Sequence, residues 1–188
     1  MKVLFFLCKK LVSFAILFVK GGVRSARYIG VSVGENCRIY TTHFGTEPFL
    51  ITIGNDVTVT SNVSFITHDG STWLMRDEKG RRYKYAPISI GNNVFVGTGS
   101  IIMPGVKIED NVIIAAGSIV TKSIPSGVVV AGVPAKIINS FDDIKRRMLN
   151  ENFSDEDLDK TLNYKERVFG LLTKEYKPYL KYDDKNQK

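Results

Sequence analysis

The chain is poor in cysteine and histidine, and these shortages exclude several kinds of site. Its two cysteines, Cys8 and Cys37, lie far apart in 188 residues and provide neither a disulfide framework nor a paired metal spacing. Two unpaired thiols are typical of a reducing compartment, so we predict a cytoplasmic protein. The only histidines are His43 and His68. A zinc site built from histidine alone takes about three of them, which makes a zinc enzyme an unfavourable interpretation.

Acidic residues are missing from the first 34 positions, which hold six of the 26 basic residues of the chain. The other 20 basic residues nearly balance the 19 acidic ones, so the net charge of +7 belongs almost entirely to the N-terminal segment. A nearly neutral body has no basic stripe that could follow a phosphate backbone. We therefore predict no nucleic-acid partner.

Long uncharged hydrophobic runs are also missing. The segment from Val3 to Lys20 is apolar, but Lys9 and Lys10 divide it into runs far shorter than the roughly 18 residues of a spanning helix. We predict a basic, apolar helix over residues 1–28. Through residues 1–20 this helix either lies peripherally in the lipid interface, on the inner face of the cytoplasmic membrane, or packs on the protein itself.

What the sequence does contain is a six-residue repeat. An aliphatic residue recurs without a slip from Ile90 to Val120, and the fifth position of the same frame is always small or β-branched: Val94, Ser100, Val106, Val112, Ser118 and Ile124. This period matches neither an α-helix nor a simply alternating strand. It predicts short parallel strands joined by turns and stacked into a β-solenoid with an aliphatic interior.

Two segments interrupt the repeat. Ile39 to Ile53 spans 14 residues and Phe65 to Ile90 spans 25, and neither length is a multiple of six. The second segment contains the charged stretch "GSTWLMRDEKGRRYKYAP", which predicts a protruding loop over residues 66–89. His43 lies in the shorter segment and His68 at the root of the longer one, where a stiff scaffold can hold a catalytic side chain.

Residues 90–138, with "GSIVTK" and "AGVPAK", closely resemble the hexapeptide-repeat acyltransferases, in particular the maltose, galactoside and capsule-sugar O-acetyltransferases. The likeness extends over about residues 28–139, although Ala115 stands where the family has a glycine. It implies a mainly β fold, a left-handed parallel β-helix over residues 29–139, and a homotrimer with active sites between subunits. In that trimer, His68 is expected to face acetyl-CoA bound partly by residues of another chain: Ala116, Thr121, Lys122 and Lys136. After residue 139 the pattern changes, and Ser-x-x-Asp caps at Ser140 and Ser154 predict a helical extension over residues 140–188 with two helices.

The resemblance also implies roles for individual residues. His68 in "ITHDG" matches the general base that deprotonates a sugar hydroxyl, with acetyl-CoA as donor and no metal. A carboxylate or a carbonyl should accept a hydrogen bond from the other ring nitrogen. Residues at donor-binding positions of the family are Phe95, Thr98, Ala116, Thr121, Lys122 and Lys136. Glu47 is expected to bind the acceptor, and Asp69 either the acceptor or a neighbouring chain. His43 is the second candidate for the base, or else contacts the acceptor.

The resemblance favours an acetyl-CoA-dependent O-acetyltransferase acting on a sugar hydroxyl of a surface polysaccharide or its precursor. An N-acetyltransferase acting on an amino sugar would use the same base and the same donor. A zinc carbonic anhydrase on the same solenoid is disfavoured because the chain has two histidines. A catalytically silent scaffold is disfavoured by the presence of "THD" and "GVPAK".

Overall fold

The structure is a computed structural model that describes residues 2–172 and 175–179, with only the backbone described for residues 2–10. The predicted mainly β class is confirmed, because fifteen short strands are the main regular structure between residues 32 and 140. Two compact units divide between Arg146 and Arg147.

Most of the strands form three parallel sheets, which the chain visits in turn. The first sheet contains β1 (Ser32–Val33), β3 (Ile51–Ile53), β8 (Ile88–Ile90) and β11 (Lys107–Ile108). The second contains β2 (Arg38–Ile39), β4 (Thr58–Val59), β9 (Val94–Val96), β12 (Val112–Ile114) and β14 (Val128–Ala131), and the antiparallel strand β15 (Lys136–Ser140) at its edge. The third contains β5 (Ser64–Phe65), β10 (Ile101–Ile102) and β13 (Ile119–Val120). We call three successive strands, one from each sheet, a rung.

The repeat positions form the core, as the sequence predicts. The aliphatic anchors from Ile90 to Val120 and all the fifth-position residues from Val94 to Ile124 are buried. Ser100 and Ser118 have no exposed surface, and their hydroxyls donate to the Ala115 carbonyl oxygen at 3.1 and 2.7 Å. A small polar residue is tolerated here because its one donor is satisfied.

The turns between the first and second sheets are held by a ladder of side-chain oxygens. Oδ1 of Asn55 accepts from the Glu35 N–H at 2.8 Å, Oδ1 of Asn92 from the Asn55 N–H at 2.8 Å, and Oδ1 of Asp110 from the Asn92 N–H at 2.6 Å. Each turn continues with an Asn or Asp at positive φ, a conformation that these residues tolerate better than most. Every rung therefore caps the turn of the rung before it.

The N-terminal segment contains two helices instead of the predicted one. Helix α1 (Lys2–Lys20) and helix α2 (Gly22–Ile29) meet at Gly21, whose φ of 83° lies in the left-handed region that glycine adopts without strain. The hydroxyls of Ser13 and Ser25 lie 2.8 Å apart and join the two helices. No helix within the described residues has both the length and the apolarity needed to cross a membrane.

Helix α3 (Phe141–Glu151) begins where the Ser140 cap predicts, with the Asp143 N–H donating to the Ser140 hydroxyl at 3.1 Å. The prediction of a second helix starting at Ser154 is wrong. Ser154 caps only a single 3-10 turn, Asp155–Asp157, because Asp159 then accepts from Thr161 in a tight turn of its own. Helix α4 (Tyr164–Gly170) starts later, after a capping box between Asn163 and Glu166.

The protruding segment after Phe65 is partly structured. It contains a 3-10 helix (Gly70–Leu74) and an antiparallel hairpin of β6 (Arg76–Asp77) and β7 (Gly80–Arg81). The loop was predicted to run to residue 89, but Ile88 and Ser89 already belong to β8 because they pair with β3 and β11. At its root, the Ala86 N–H donates to the Thr67 carbonyl and the Asp69 N–H to the Lys84 carbonyl.

Candidate active site

His68 lies beside a carboxylate from the other segment that interrupts the repeat. Its Nδ1 is 3.0 Å from Oε2 of Glu47, and the side chains are 40% and 17% exposed. The sequence predicts that a carboxylate or a carbonyl orients the base, but it assigns Glu47 to acceptor binding. The structure places it against the imidazole.

The Glu47 carboxylate is held on both oxygens. Thr46 donates to Oε1 at 2.7 Å, and the fully buried Thr67 donates to Oε2 at 2.7 Å. Burial raises the pKa of Glu47, but the hydrogen bonds from Thr67, Thr46 and His68 and the charge of His68 together outweigh it, so its pKa lies below the ordinary value. An ionised carboxylate only accepts, so Nδ1 of His68 donates the hydrogen of this contact, and Nε2 is then the acceptor nitrogen of the neutral imidazole.

The fold brings these groups together through the third sheet. His43 pairs with Ser64 as an isolated parallel bridge, and the Phe65 N–H donates to the His43 carbonyl at 2.9 Å. The chain after His43 therefore runs beside the chain after Phe65. Glu47 then precedes a 3-10 helix (Pro48–Leu50), and His68 follows the buried Thr67.

Asp69 is engaged elsewhere. Its Oδ1 accepts from the N–H of Ser71 at 3.0 Å and from the Ser71 hydroxyl at 2.6 Å, which caps the 3-10 helix that follows. The hydroxyl and the backbone N–H of Ser71 lower the pKa of the Asp69 carboxyl. In this arrangement Asp69 stabilises the start of the protruding segment.

The expected donor-binding residues fall into two groups. Thr98 and Ala116 lie in turns between the second and third sheets, and Lys136 lies nearby because it pairs with Ala131 at the end of β14. Thr121 and Lys122 follow β13, in the turn after the third sheet. His68 also follows a third-sheet strand, so it shares one end of these strands with Thr121 and Lys122. The other group lies at the opposite end, and Phe95 lies within β9.

The two stacked turns that hold Thr98 and Ala116 can bind a polar ligand through their backbone N–H groups. A Cβ at Gly97 would lie 2.4 Å from the Ala116 nitrogen, so only glycine allows the two turns to stack this closely. Within residues 2–172 and 175–179, the N–H groups of Thr98 and Ala116 have no backbone or side-chain acceptor. Phe95 (42% exposed), Lys122 and Lys136 are open to solvent, as contacts to the aromatic and phosphate parts of coenzyme A require.

A separate cleft of about 870 Å³ opens between helix α1 and the third sheet. Phe14, Phe44, Phe49 and Phe65 make it largely apolar, and His43 lies on its wall. His68 and Glu47 do not line it, although Thr46 and Pro48 do. Within the part of the chain that the structure describes, no three His, Cys, Asp or Glu side chains gather as metal ligands would.

Comparison with known proteins identifies the family of the chain. A sequence model described as the hexapeptide repeat of succinyl-transferase matches residues 22–40 and 87–122. Protein CapG of Staphylococcus aureus is 46% identical over 151 residues, which cover 79% of this chain and 86% of CapG. A galactoside O-acetyltransferase of Lactococcus lactis subsp. lactis is 32% identical, with 72% of each chain covered.

Among solved structures, a galactoside acetyltransferase in complex with coenzyme A superposes with a TM-score of 0.53 at 30% identity, covering 78% of this chain and 86% of that one. These relatives share most of their length with the present chain, including its repeat. The chain therefore belongs to the hexapeptide-repeat acetyltransferase family and is an acyltransferase.

Proposed function

We propose that the protein transfers the acetyl group of acetyl-CoA to a sugar hydroxyl of a surface polysaccharide or its precursor, with His68 as the general base. The observation that carries this proposal is the Glu47–His68 pair, which leaves Nε2 of the imidazole free to accept a proton. The Lactococcus lactis relative, which is named a galactoside O-acetyltransferase, supports a sugar hydroxyl as the acceptor.

In the proposed reaction, Nε2 of His68 removes the hydroxyl proton as the sugar oxygen attacks the thioester carbonyl carbon. A C–O bond forms, the C–S bond breaks, and the imidazolium returns its proton to the departing CoA sulfur. Glu47 stabilises the transient imidazolium through Nδ1. Backbone N–H groups stabilise the oxyanion, and no metal is needed for any of these steps.

We further propose that residues 29–139 form the left-handed parallel β-helix of the family, followed by the helical extension over residues 140–188. Support comes from the strand order, in which three parallel sheets are visited in rotation and partners in adjacent rungs, such as Ile101 and Ile119, are 18 residues apart. Eighteen residues are three six-residue repeats, one for each side of a triangular coil.

The separation of the base from Thr98, Ala116 and Lys136 supports a homotrimer with sites between subunits. In one chain these groups lie at opposite ends of the third-sheet strands. A threefold assembly places the turn after the third sheet of one subunit against the turn before it in the next. Thr121 and Lys122 lie at the His68 end of the strands, so we propose that they belong to the subunit of the base and not, as expected from the sequence, to the opposite one. These residues would face Phe95, Thr98, Ala116 and Lys136 of the neighbouring subunit across bound acetyl-CoA.

Mixed trimers test this arrangement. We expect inactive His68→Ala subunits, exchanged with inactive subunits carrying Ala116→Glu and Lys136→Glu, to recover up to about one quarter of the wild-type activity, because a cyclic trimer gives some sites two intact halves. The matched control pairs His68→Ala with Lys122→Glu. His68 and Lys122 both follow strands of the third sheet and therefore belong to the same half of the proposed site, so no site becomes complete. Recovery in neither mixture, with exchange demonstrated, would mean that each chain holds a whole site.

An acceptor panel tests the function itself. Purified protein is incubated with acetyl-CoA and with matched sugars and amino sugars, and CoA release and acetylated product are measured. We expect acetyl esters on a sugar hydroxyl. Product found only on amino groups would favour the N-acetyltransferase alternative, and acetyl-CoA binding without transfer to any acceptor would favour a silent scaffold.

We also propose that residues 1–20 contact anionic lipid on the inner face of the cytoplasmic membrane. Leu11, Phe14, Phe18 and Val19 of α1 are more than half exposed, and this part of the chain is basic without any acidic residue. Each lysine near an anionic surface contributes about 1 kcal/mol, so we expect salt-sensitive vesicle binding that is lost when residues 1–20 are deleted. Deletion that dissociates the trimer, without vesicle binding by the full chain at any salt, would indicate a packing role.

A further inference from the structure

The protruding segment beyond His68 carries a row of arginine and aromatic side chains, which we call the arginine–aromatic strip: Trp73, Arg76, Arg81, Tyr83 and Tyr85. The guanidinium groups of Arg76 and Arg81 lie 4.3 and 4.5 Å from the centre of the Trp73 ring, and that of Arg81 also lies 4.5 Å from Tyr83. Tyr83 stacks on Tyr85 at 6.4 Å. The strip ends at the base, with 6.1 Å between the ring centres of Tyr85 and His68.

The two arginines of the strip carry charge that the described residues do not neutralise. Arg82 pairs with Asp77, whereas Arg76 and Arg81 make no ion pair within residues 2–172 and 175–179. The Nε atom of Arg81 is buried and has no hydrogen-bond partner there. A buried N–H without an acceptor is costly. Nε of Arg76 donates to the Trp73 carbonyl oxygen at 3.3 Å, so Arg76 keeps its terminal N–H groups for an oxyanion, as a guanidinium stacked on an aromatic ring can.

The rings of the strip are not part of the protein core. Trp73, Tyr83 and Tyr85 are all more than half exposed. Exposed aromatic rings in a row offer apolar faces to ligands that have both apolar and polar edges, as sugar rings do. A row that starts at the catalytic imidazole and continues along the hairpin suits a ligand longer than one ring.

We propose that the strip binds the part of the acceptor that lies beyond the acetylated sugar, and that this part carries an anionic group, a carboxylate or a phosphate, for Arg76 and Arg81. The inference rests on the proposed function and specifies its acceptor class. The sugar units lie on Tyr85 and Tyr83, and the anion lies farther along the strip, beside the two guanidinium groups. The preferred acceptor is therefore an anionic oligosaccharide or glycan phosphate.

The kinetic test compares oligosaccharides of equal length that are neutral, contain a uronic acid or carry a phosphate. Arg76→Gln is expected to raise KM for the preferred anionic acceptor by about 10- to 100-fold, the worth of a charged hydrogen bond, with little change in kcat. Arg81→Gln should have the same effect. Lys79→Gln is the matched control, because it removes the same charge from the same hairpin outside the strip, and it should stay within about twofold. Comparison of the uronic-acid and phosphate oligosaccharides shows whether the strip recognises a carboxylate or a phosphate.

A second readout does not depend on catalysis. Trp73 is the only tryptophan of the chain, so its fluorescence reports occupation of the strip directly. We expect the anionic oligosaccharide to change it, the neutral one to have a weaker effect, and Arg76→Gln to abolish the difference. Such binding without any acetyl transfer would support the strip as a binding site for an anionic oligosaccharide and would contradict the proposed acetyltransferase function. Unchanged fluorescence together with normal acetylation of short neutral sugars would overturn the strip, as would dissociation of the trimer by Trp73→Ala or Arg76→Gln, which would make the strip a subunit interface.

Discussion

Replacing His68 with alanine is expected to lower kcat by about two to four powers of ten, because general-base catalysis is worth that much. The acceptor hydroxyl would then have no partner for its proton. The affinity for acetyl-CoA should hardly change, since the proposed donor contacts are made by other side chains and by backbone N–H groups. The melting temperature should hardly change either, because 40% of the His68 side chain is exposed. Steady-state kinetics with varied acetyl-CoA separates kcat from donor binding.

His43→Ala is the control for this experiment, because it removes the only other imidazole and leaves the Glu47 contact intact. We expect at most an effect on KM for the acceptor, since His43 lines the neighbouring cleft. A large loss of kcat in His43→Ala together with near-normal turnover in His68→Ala would reverse the roles of the two histidines.

Substituting Glu47 with glutamine is expected to lower kcat by about 10- to 1,000-fold, since the base would lose the group that fixes its tautomer. A glutamine amide can donate to Nδ1, which moves the ring hydrogen to Nε2 and removes the acceptor for the sugar proton. KM for acetyl-CoA should not change, and the pH dependence of kcat should shift. Glu47→Asp should restore part of the activity, and Thr67→Val, which removes only the hydroxyl that holds Oε2, should give an intermediate loss.

Glu47 also makes a pH-dependent contribution to stability. Its pKa in the folded chain lies below the ordinary value of 4.5, so its contribution is present above pH 4.5 and is lost as the pH falls through the folded pKa. The difference in melting temperature between the wild type and Glu47→Gln should therefore shrink as the pH falls below 4.5. A difference that grows below pH 4.5 would contradict the hydrogen-bonded, ionised carboxylate.

The interior of the sheets could be predicted because its rule is local. One residue in six points inwards with a small neighbour, and every such position from Val94 to Val120 is buried. The turns obey a similar local rule, in which an Asn or Asp side chain caps the rung before it. The break at Gly21 and the late start of helix α4 are harder to predict, because each depends on which of several competing turn residues prevails.

The contact between Glu47 and His68 could not be read from the repeat. The two residues are 21 positions apart, and both lie in segments that depart from the six-residue frame. Their meeting depends on the bridge between His43 and Ser64 and on the buried Thr67, which are tertiary features. The available signal was chemical: a base needs an acceptor for its second nitrogen, and Glu47 is the one acidic residue in the other interruption of the repeat.

Because each rung pairs directly with the next, equivalent residues in successive rungs are separated by a fixed distance along the stack. Neighbouring strands of a sheet lie about 4.8 Å apart, so Thr98 and Ala116, one rung apart, are separated along the stack by about one such step. An insertion of 18 residues between β10 and β11 would add one rung. Ala116 and Lys136 would then lie one strand spacing farther from His68, and the column of buried aliphatic side chains would remain continuous. The distance from base to donor can thus change in large steps by adding rungs, and finer adjustment is left to the turns.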